Sequence, residues 1–439
     1  MFEPAAAPPA FLSPQEINAL QDRLLAEHAA YVAERSPFYR RRFQESGLAP
    51  DAVKTVADLA KLPLTSKQDL AENARDLLCV DESMIVDTCL TSGTTGRPVP
   101  LYQTASDLDR LGYNEETAFR AAGITEHDRV MIAAAMDRCF MAGLAYFLAL
   151  KRIGANSIRA GSSSLPVLTD IMRTYKPTAI VGVPTLILAL AERLAAEGVD
   201  PASLGTKRLI CIGEPVRKPD FALSALGERI GGFYGASVYG TYASTEMATA
   251  FCDCEEGMGG HLLPDLMVVE IIDDQGRPLP PGQPGEVVAT PLQVTGMPLM
   301  RFATGDIAVL HPEPCPCGRL TPRLGPVQGR KAQGLKYRGT LVYPPAIFQV
   351  LQEIPALRGY YIEVRDDFEL SDHIRVVAGS TDPDLTPLEV AERIAACTRV
   401  KPEVVLAHPD EVAKRTIQPG QRKPVLFFDL RTSAGGSRG

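Results

Sequence analysis

Four short apolar runs alternating with helix-length stretches constrain this chain more than any other feature. Val130-Met131-Ile132, Ala179-Ile180-Val181, Leu209-Ile210-Cys211 and Ser237-Val238-Tyr239 read as strands. Helical patterns follow the first two, from about Ala142 to Ile153 and from about Thr185 to Ala196, and a third ends near Ile230. A strand–helix rhythm sustained over residues 128–239 requires a mostly parallel sheet with helices laid on it. The chain is therefore expected to be an α/β protein. Upstream, Ser13 to Arg42 shows helical spacing (Leu20, Leu24, Leu25, Tyr31, Val32), and Ser13-Pro14-Gln15-Glu16 is a helix start. Downstream the rhythm changes. Leu266 to Ile272 and Gly285 to Thr290 look like β segments around a Gly/Pro-rich turn, which marks a β-rich subdomain at about 262–328. After Gly329-Arg330, strands at Tyr360 to Val364, Ile374 to Ala378 and Val404 to Leu406, with a helix at Leu388 to Cys397, make a small α+β domain. The expected organisation is a large N-terminal domain over 1–328, a hinge at 329–334 and a small mobile C-terminal domain over 335–439.

Composition removes several function classes. The 439 residues are 45% hydrophobic and 22% charged, enough for two or three globular domains. A net charge of −8 argues against general binding to nucleic acid or anionic membrane. The longest apolar stretch, Cys139 to Leu150, falls short of the ~18 residues of a membrane span. Met1 to Pro14 lacks the basic start of a signal peptide. Five of the nine cysteines are scattered in apolar contexts, as expected of thiols in a reducing cytoplasm.

The chemistry is concentrated in a few short motifs. Thr91-Ser92-Gly93-Thr94-Thr95-Gly96-Arg97-Pro98 interleaves hydroxyls with glycines after an apolar stretch. Glycines let the backbone approach a ligand, and hydroxyls with freed N–H groups suit phosphate oxygens. The spacing is not that of a Walker A loop. Tyr242-Ala243-Ser244-Thr245-Glu246 follows a strand; its hydroxyls suit a phosphate and its carboxylate suits Mg²⁺. Thr304-Gly305-Asp306 sets a carboxylate after a tight turn, where it could accept two ribose hydroxyls. Gly329-Arg330 lies at the domain junction, and Gln421-Arg422-Lys423-Pro424 precedes Phe427 to Arg431.

In this order over nearly the whole length, these motifs resemble the adenylate-forming superfamily. Gly213-Glu214-Pro215, Cys315-Pro316-Cys317-Gly318-Arg319, and the Ser36 to Tyr39 and Leu62 to Leu70 segments are similar to its phenylacetate–CoA ligase branch. The resemblance implies two half-reactions. A carboxylate attacks the α-phosphate of Mg·ATP, and a thiol, usually coenzyme A, then displaces AMP. It further implies that Ser92, Gly93, Thr94, Thr95 and Gly96 hold the β/γ-phosphates, and that Gly213, Glu214 and Pro215 lie along the adenine. Tyr242, Ala243, Ser244 and Thr245 would contact the nucleotide, with Thr245 at the α-phosphate. Glu246 would coordinate Mg²⁺, and Asp306, assisted by Arg330, would take the ribose. Lys423 is implied as the mobile catalytic lysine, six residues before Asp429. The carboxylic acid would be aryl or arylacetic and lie among Phe140, Met141, Ala142, Tyr234, Gly235, Ala236 and Tyr239.

Three departures qualify the pattern. Ala243 stands where a glycine is common, with Tyr239-Gly240 as an alternative register for the tyrosine. Gln421 and Leu426 replace a glycine and an arginine of the usual ending. Lys331-Ala332-Gln333-Gly334 replaces an acidic hinge, leaving Gly334 to absorb rotation. The atypical hinge keeps open a stand-alone adenylating enzyme that loads a carrier protein or an amine. An adenylyltransferase leaving AMP on its acceptor is a further alternative. A homodimer is compatible with the branch. Finally, Cys252-Asp253-Cys254, His261 and Cys315-Pro316-Cys317 offer thiolates and an imidazole suited to a tetrahedral structural Zn²⁺. Some members of the branch carry a similar set, matched here by Cys254, His261, Cys315 and Cys317. Cys252 is then a spare or a replacement for Cys254, and unliganded thiols in turns are the simpler alternative.

Overall fold

A computed structural model describes the chain except at residues 1, 3, 5–7, 92–97, 338–339, 369–370, 418–423 and 432–439. It divides into two units, one of residues 1–304 with 308–327, the other of 305–307 with 328–439.

Helices begin where the sequence supplies caps. The Ser13 side chain accepts from the Glu16 N–H, and the Glu16 carboxylate accepts from the Ser13 N–H, which starts α1 (Pro14–Arg35). Helical spacing runs on to Arg42, yet the helix does not. Pro37 lacks an N–H and disfavours helical backbone before it, so Ser36 both ends α1 and caps α2 (Pro37–Glu45). Ser66 caps the short α3 (Lys67–Asn73). Strands β1 (Ile85–Leu90) and β2 (Pro100–Thr104) pair antiparallel. Thr104 then caps α4 (Ala105–Ala121) in a box with Asp107.

The central sheet of the larger unit has the order β4-β3-β5-β6-β7-β8. Strands β3 (Arg129–Ala133), β4 (Asn156–Arg159), β5 (Ala179–Gly182), β6 (Arg208–Ile212) and β7 (Ser237–Ser244) are parallel. Strand β8 (Thr249–Cys252) closes the edge antiparallel to β7. Helices α5 (Met141–Ile153), α6 (Leu165–Tyr175), α7 (Pro184–Ala196) and α8 (Ala225–Tyr234) form the crossovers. Successive strand residues point to opposite faces, and here both faces are apolar. Met131, Ile180, Leu209, Cys211 and Val238 pack with residues of α6, α7 and α8. Val130, Ile132, Val181, Ile210 and Tyr239 pack with Phe119, Tyr146 and Ala149 of α4 and α5. Helix α8 extends a turn past Ile230, to Tyr234, and Gly235 closes it at φ +59°.

The β-rich part has the order β10-β11-β12-β13-β9, from β10 (Met267–Ile272), β11 (Pro284–Pro291), β12 (Phe302–His311), β13 (Arg323–Leu324) and β9 (Gly260–His261). Met247 and Phe251 share its core with Leu262, Met267, Ile271, Val287 and Ala289.

In the smaller unit, β14 (Gly329–Arg330) pairs with residues 306–307, and β15 (Leu335–Tyr337) pairs with β16 (Thr340–Val342). A four-stranded sheet follows in the order β19-β18-β17-β20. The long pair β17 (Leu357–Phe368) and β18 (Ser371–Ser380) is antiparallel; β19 (Glu403–Ala407) and β20 (Phe427–Asp429) join parallel to their neighbours. Ile362, Val364, Ile374 and Val376 pack with α9 (Pro344–Gln352) and α10 (Pro387–Thr398), while α11 (Pro409–Thr416) completes the unit. Among the described residues, no helix is long and apolar enough to cross a membrane.

Candidate functional site

The parallel strand β6 ends at Ile212, opposite Thr241, and β7 runs three residues further, to Ser244. Ligands of open α/β sheets bind beyond the carboxyl ends of the strands. Gly213 follows β6 at φ +72°, a left-handed conformation that suits glycine. Next to it, the Glu214 carboxylate accepts from the N–H of Thr185 (3.2 Å) and from its hydroxyl (3.0 Å), at the N-terminus of α7. Acidic groups are favoured there by the helix dipole. Tyr242, Ala243 and Ser244 form the end of β7 rather than a loop after it. Tyr242 stacks on Phe251, with centroids 6.2 Å apart, whereas Tyr239, three residues earlier, is a core residue of the opposite face. Thr245 to Ala248 make the turn into β8, held by an Ala248 N–H to Thr245 carbonyl bond of 3.2 Å. Glu246 is half-buried on this turn and lines a small cavity with Gln103, Asp107, Arg110 and Ala248. The Gln103 Oε1 atom is buried with no hydrogen-bond partner among the described residues.

Asp306 was expected after a tight turn, but Thr304-Gly305-Asp306 lies inside β12, with Gly305 at φ +78° within the strand. Asp306 stands directly opposite Arg330 across β12 and β14, and Arg330 Nε lies 3.5 Å from Asp306 Oδ1. The register therefore joins two motifs that are separate in sequence. Gly334 adopts φ −59°, open to any residue, and its carbonyl accepts from Arg431 Nη1 at 3.0 Å. Ser92, Gly93, Thr94, Thr95, Gly96 and Lys423 lie outside the described residues.

Of the residues expected to surround the acid, Tyr234 and Ala236 lie apart from the others, whereas Ala142 packs against the core that holds Tyr239. Phe140 caps α5, and Met141 is buried with Cys89, Leu111 and Ala145, beside Ala248 of the Glu246 turn. Tyr234 sits on the other face of the sheet, among residues of α7 and α8, and its hydroxyl donates to the Ile187 carbonyl at 3.3 Å. Gly235 and Ala236 follow it at the amino end of β7, whereas Phe140 to Ala142 follow the carboxyl end of β3. Two parallel strands keep those ends apart. Tyr234, Gly235 and Ala236 therefore belong to the packing of α8, not to a pocket with Met141.

A second cluster is compact. The donor atoms of Cys254, His261, Cys315 and Cys317 all lie within 4.8 Å of one another. Cys254 Sγ is 3.7 Å from Cys315 Sγ, and Cys317 Sγ is 3.4 Å from His261 Nε2. Thr321 Oγ1 lies 3.1 Å from His261 Nδ1, which leaves Nε2 for the sulfurs. Burial, with Arg319 and Arg323 nearby, pushes the imidazole down to about 4, so it is neutral. Cys252 lies apart from the set and accepts from the Thr241 hydroxyl at 3.5 Å.

Several residues that shape the site carry no sequence motif. Asp253 is 3% exposed and accepts from Arg217 Nε (2.5 Å) and from the Gly240 N–H (2.8 Å) of β7. Asp107 accepts from Thr295 and Gly296 N–H groups at 2.7 and 2.9 Å. The available signals were the Thr104-x-x-Asp107 capping box and the place of Asp253 between Cys252 and Cys254.

An open parallel sheet with motif residues gathered past its carboxyl ends defines a nucleotide-dependent α/β enzyme. Residues 26–296 match the family model of AMP-binding enzymes. The chain is 31% identical to the phenylacetate–coenzyme A ligase of Thermus thermophilus over 366 residues, covering 82% of this chain and 80% of that one. It is 28% identical to the phenylacetate–coenzyme A ligase of Escherichia coli K12 over 432 residues, covering 96% and 97%. A crystal structure of 2-hydroxyisobutyryl-CoA ligase with 2-HIB-AMP superposes with a TM-score of 0.85 at 25% identity, over 98% of this chain and 94% of that one. The chain belongs to the AMP-binding enzyme family, in its phenylacetate–CoA ligase-like branch. It is thus an ATP-dependent ligase that activates a carboxylic acid as an acyl-adenylate.

Proposed function

We propose that the protein activates an aryl or arylacetic acid with ATP and transfers the acyl group to coenzyme A. A carboxylate oxygen attacks the α-phosphorus, the bond to the β-phosphate oxygen breaks, and pyrophosphate leaves with that electron pair. The coenzyme A sulfur then attacks the acyl carbon; AMP leaves, and the thiol proton passes to solvent. The observation that carries this reading is Glu246, a carboxylate on the turn closing β7 at the carboxyl end of a parallel sheet. Its oxygens and the unpartnered Gln103 Oε1 beside the same cavity are the hard donors that hydrated Mg²⁺ prefers. When bound there with ATP, Mg²⁺ would supply positive charge against the departing pyrophosphate.

In this reading Thr245 donates to the α-phosphate, Asp306 accepts from the ribose hydroxyls, and Arg330 fixes the Asp306 carboxylate across the strand pair. Gly213, Glu214 and Pro215 border the adenine, and Glu214 itself is anchored on α7. Ser92 to Gly96 take the β/γ-phosphates, and Lys423 bridges the carboxylate and the α-phosphate. Preorganised donors of this kind stabilise charge that develops in the transition state. Phe140, Met141, Ala142 and Tyr239 remain the candidates for the acid. A cytoplasmic setting belongs to this reading, supported by nine cysteines all held as thiols.

We further infer a structural Zn²⁺ on Cys254, His261, Cys315 and Cys317. A tetrahedral ion with Zn–S bonds of about 2.3 Å separates its sulfurs by roughly 3.8 Å. The 3.7 Å between Cys254 and Cys315 fits that geometry. Metal analysis of protein purified without added zinc is expected to give close to one equivalent; under a tenth would overturn the assignment.

The functional test is pyrophosphate release with Mg·ATP across aryl, arylacetic and aliphatic acids, each with and without coenzyme A. Release with an aryl-type acid followed by an acyl-CoA product is expected. Release that stops at a bound adenylate overturns the coenzyme A half. Release with aliphatic acids alone overturns the aryl half.

A further inference from the structure

Arg110 lies on α4, outside every motif of the sequence, and is 1% exposed. Its guanidinium donates from Nη1 to the Ala248 carbonyl at 2.6 Å and from Nη2 to the Thr249 hydroxyl at 3.1 Å. It also donates from Nε to the Leu292 carbonyl at 2.7 Å and from Nη2 to the Leu266 carbonyl at 2.6 Å. Burying a cation is costly unless its donors are satisfied. Here all four acceptors are neutral oxygens, and Asp107 and Asp265 supply counter-charge from farther off. Two of the four bonds fall on Ala248, which ends the Glu246 turn, and on Thr249, which begins β8. The same arginine lines the cavity that Glu246 lines.

The turn has a reason to need holding. Ala248 sits at φ +46°, a left-handed conformation that is strained for an alanine. One turn further along α4, Asn114 grips the next residue, accepting from the Ala250 N–H at 2.8 Å and donating to its carbonyl at 3.3 Å. Met141 and Leu111 pack beside Ala248. Helix α4 thus fixes three successive residues, 248, 249 and 250, beginning two positions after the carboxylate.

We propose that Arg110 is the positioning residue for Glu246: by holding Ala248 in its left-handed conformation, it fixes the turn from which Glu246 reaches the divalent cation of Mg·ATP. This rests on Glu246 being the metal carboxylate. A planar guanidinium reaches four acceptors in a fixed fork. A lysine ammonium is a single point with three donors and cannot span them.

The test uses the full-length enzyme and Mn²⁺ as the probe. Binding of Mn²⁺ in the presence of ATP is read by electron paramagnetic resonance, with pyrophosphate release read in parallel. Arg110→Lys is expected to weaken the Mn²⁺ midpoint about tenfold, a loss of roughly 1.4 kcal/mol, with a smaller change in kcat at saturating metal. Adding Ala248→Gly to Arg110→Lys is expected to recover about threefold of that loss, because glycine takes the left-handed conformation without strain. Where Arg110→Lys fails to fold, Thr249→Val removes one acceptor and is expected to shift the midpoint two- to threefold, on the order of half a kcal/mol. A midpoint unchanged in Arg110→Lys, or in Thr249→Val where that variant stands in, overturns the proposal. So does a loss in Arg110→Lys that Ala248→Gly fails to relieve. Glu246→Gln separates the two readings. If it binds Mn²⁺ with ATP as the wild type does, the Glu246 assignment itself fails, whatever Arg110 does.

Discussion

The central sheet of the larger unit and the four-stranded sheet of the smaller unit treat charge in different ways. In the larger unit, β3, β5 and β6 are apolar at every interior position, and Ile180 and its neighbour Val181 are both fully buried on opposite faces. In the smaller unit, Ile362 is fully buried while its neighbour Glu363 faces Arg375 at 3.2 Å and Arg415 at 3.7 Å. His373 and Glu403 continue that polar face, 3.0 Å apart. Two of the buried glutamates make the contrast sharp. Glu363 is 8% exposed and has two arginines; Glu115, on α4 of the larger unit, is 4% exposed, and its Oε2 has no partner among the described residues. Glu115 is shifted by burial alone and is held neutral, whereas Asp253, at the β7–β8 edge of the same sheet, has Arg217 as its countercharge.

The contrast can be broken most directly by substituting neighbouring pairs. Ile180→Ala is expected to cost about 2–5 kcal/mol and Val181→Ala about 2 kcal/mol, measured by urea unfolding. Both neighbours should matter, whereas in the smaller unit only Ile362→Ala should cost as much. If Val181→Ala were silent, the second face would not be a core.

The next effect is a pH dependence. Burial pushes the Glu115 carboxyl up to about 8. The folded state therefore holds this proton more tightly than the unfolded chain does, and between about pH 4.5 and 8 the linkage makes stability fall as pH rises. A loss on the order of a few kcal/mol is expected across that window, and Glu115→Gln should remove it. An equal slope in wild type and Glu115→Gln would mean that another group carries it.

His28 works in the other direction and less strongly. Its ring, buried on α1 beside the Leu299 carbonyl (3.3 Å), is pushed by burial down to about 4. The folded state then binds fewer protons than the unfolded chain between about pH 4 and 6.5, so stability falls as pH drops through that range. His28→Gln is expected to flatten the acid limb by about 2 kcal/mol or less, read from unfolding midpoints at pH 5 and 7.

The smallest effect is expected at Glu363. Its arginines keep 37% and 47% of their side-chain surface exposed, so Glu363→Gln should cost no more than about 1 kcal/mol. A loss as large as that of Ile180→Ala would erase the distinction between the sheets.

Much of the larger unit was legible because both faces of its strands are apolar: Val130, Ile180 and Leu209 announce strands without any partner being known. The smaller unit was legible through alternation, as in Tyr361-Ile362-Glu363-Val364. What could not be read locally was which distant residues share a face. Tyr234 and Met141 are both apolar and near motifs in sequence, yet they end on opposite faces. Arg110 looked like any helix-surface arginine until α4 was packed over β8.

By itself the sequence determined the elements, their order and the motif residues, because helix caps, apolar periodicity and glycine spacing act over a few residues. Only the tertiary structure decided that Cys254 rather than Cys252 joins His261, Cys315 and Cys317, and that Asp306 meets Arg330. It alone put Arg110 against the turn of Glu246. Those choices depend on strand register and on helix packing across more than a hundred residues, where a shift of one position turns a side chain to the other face.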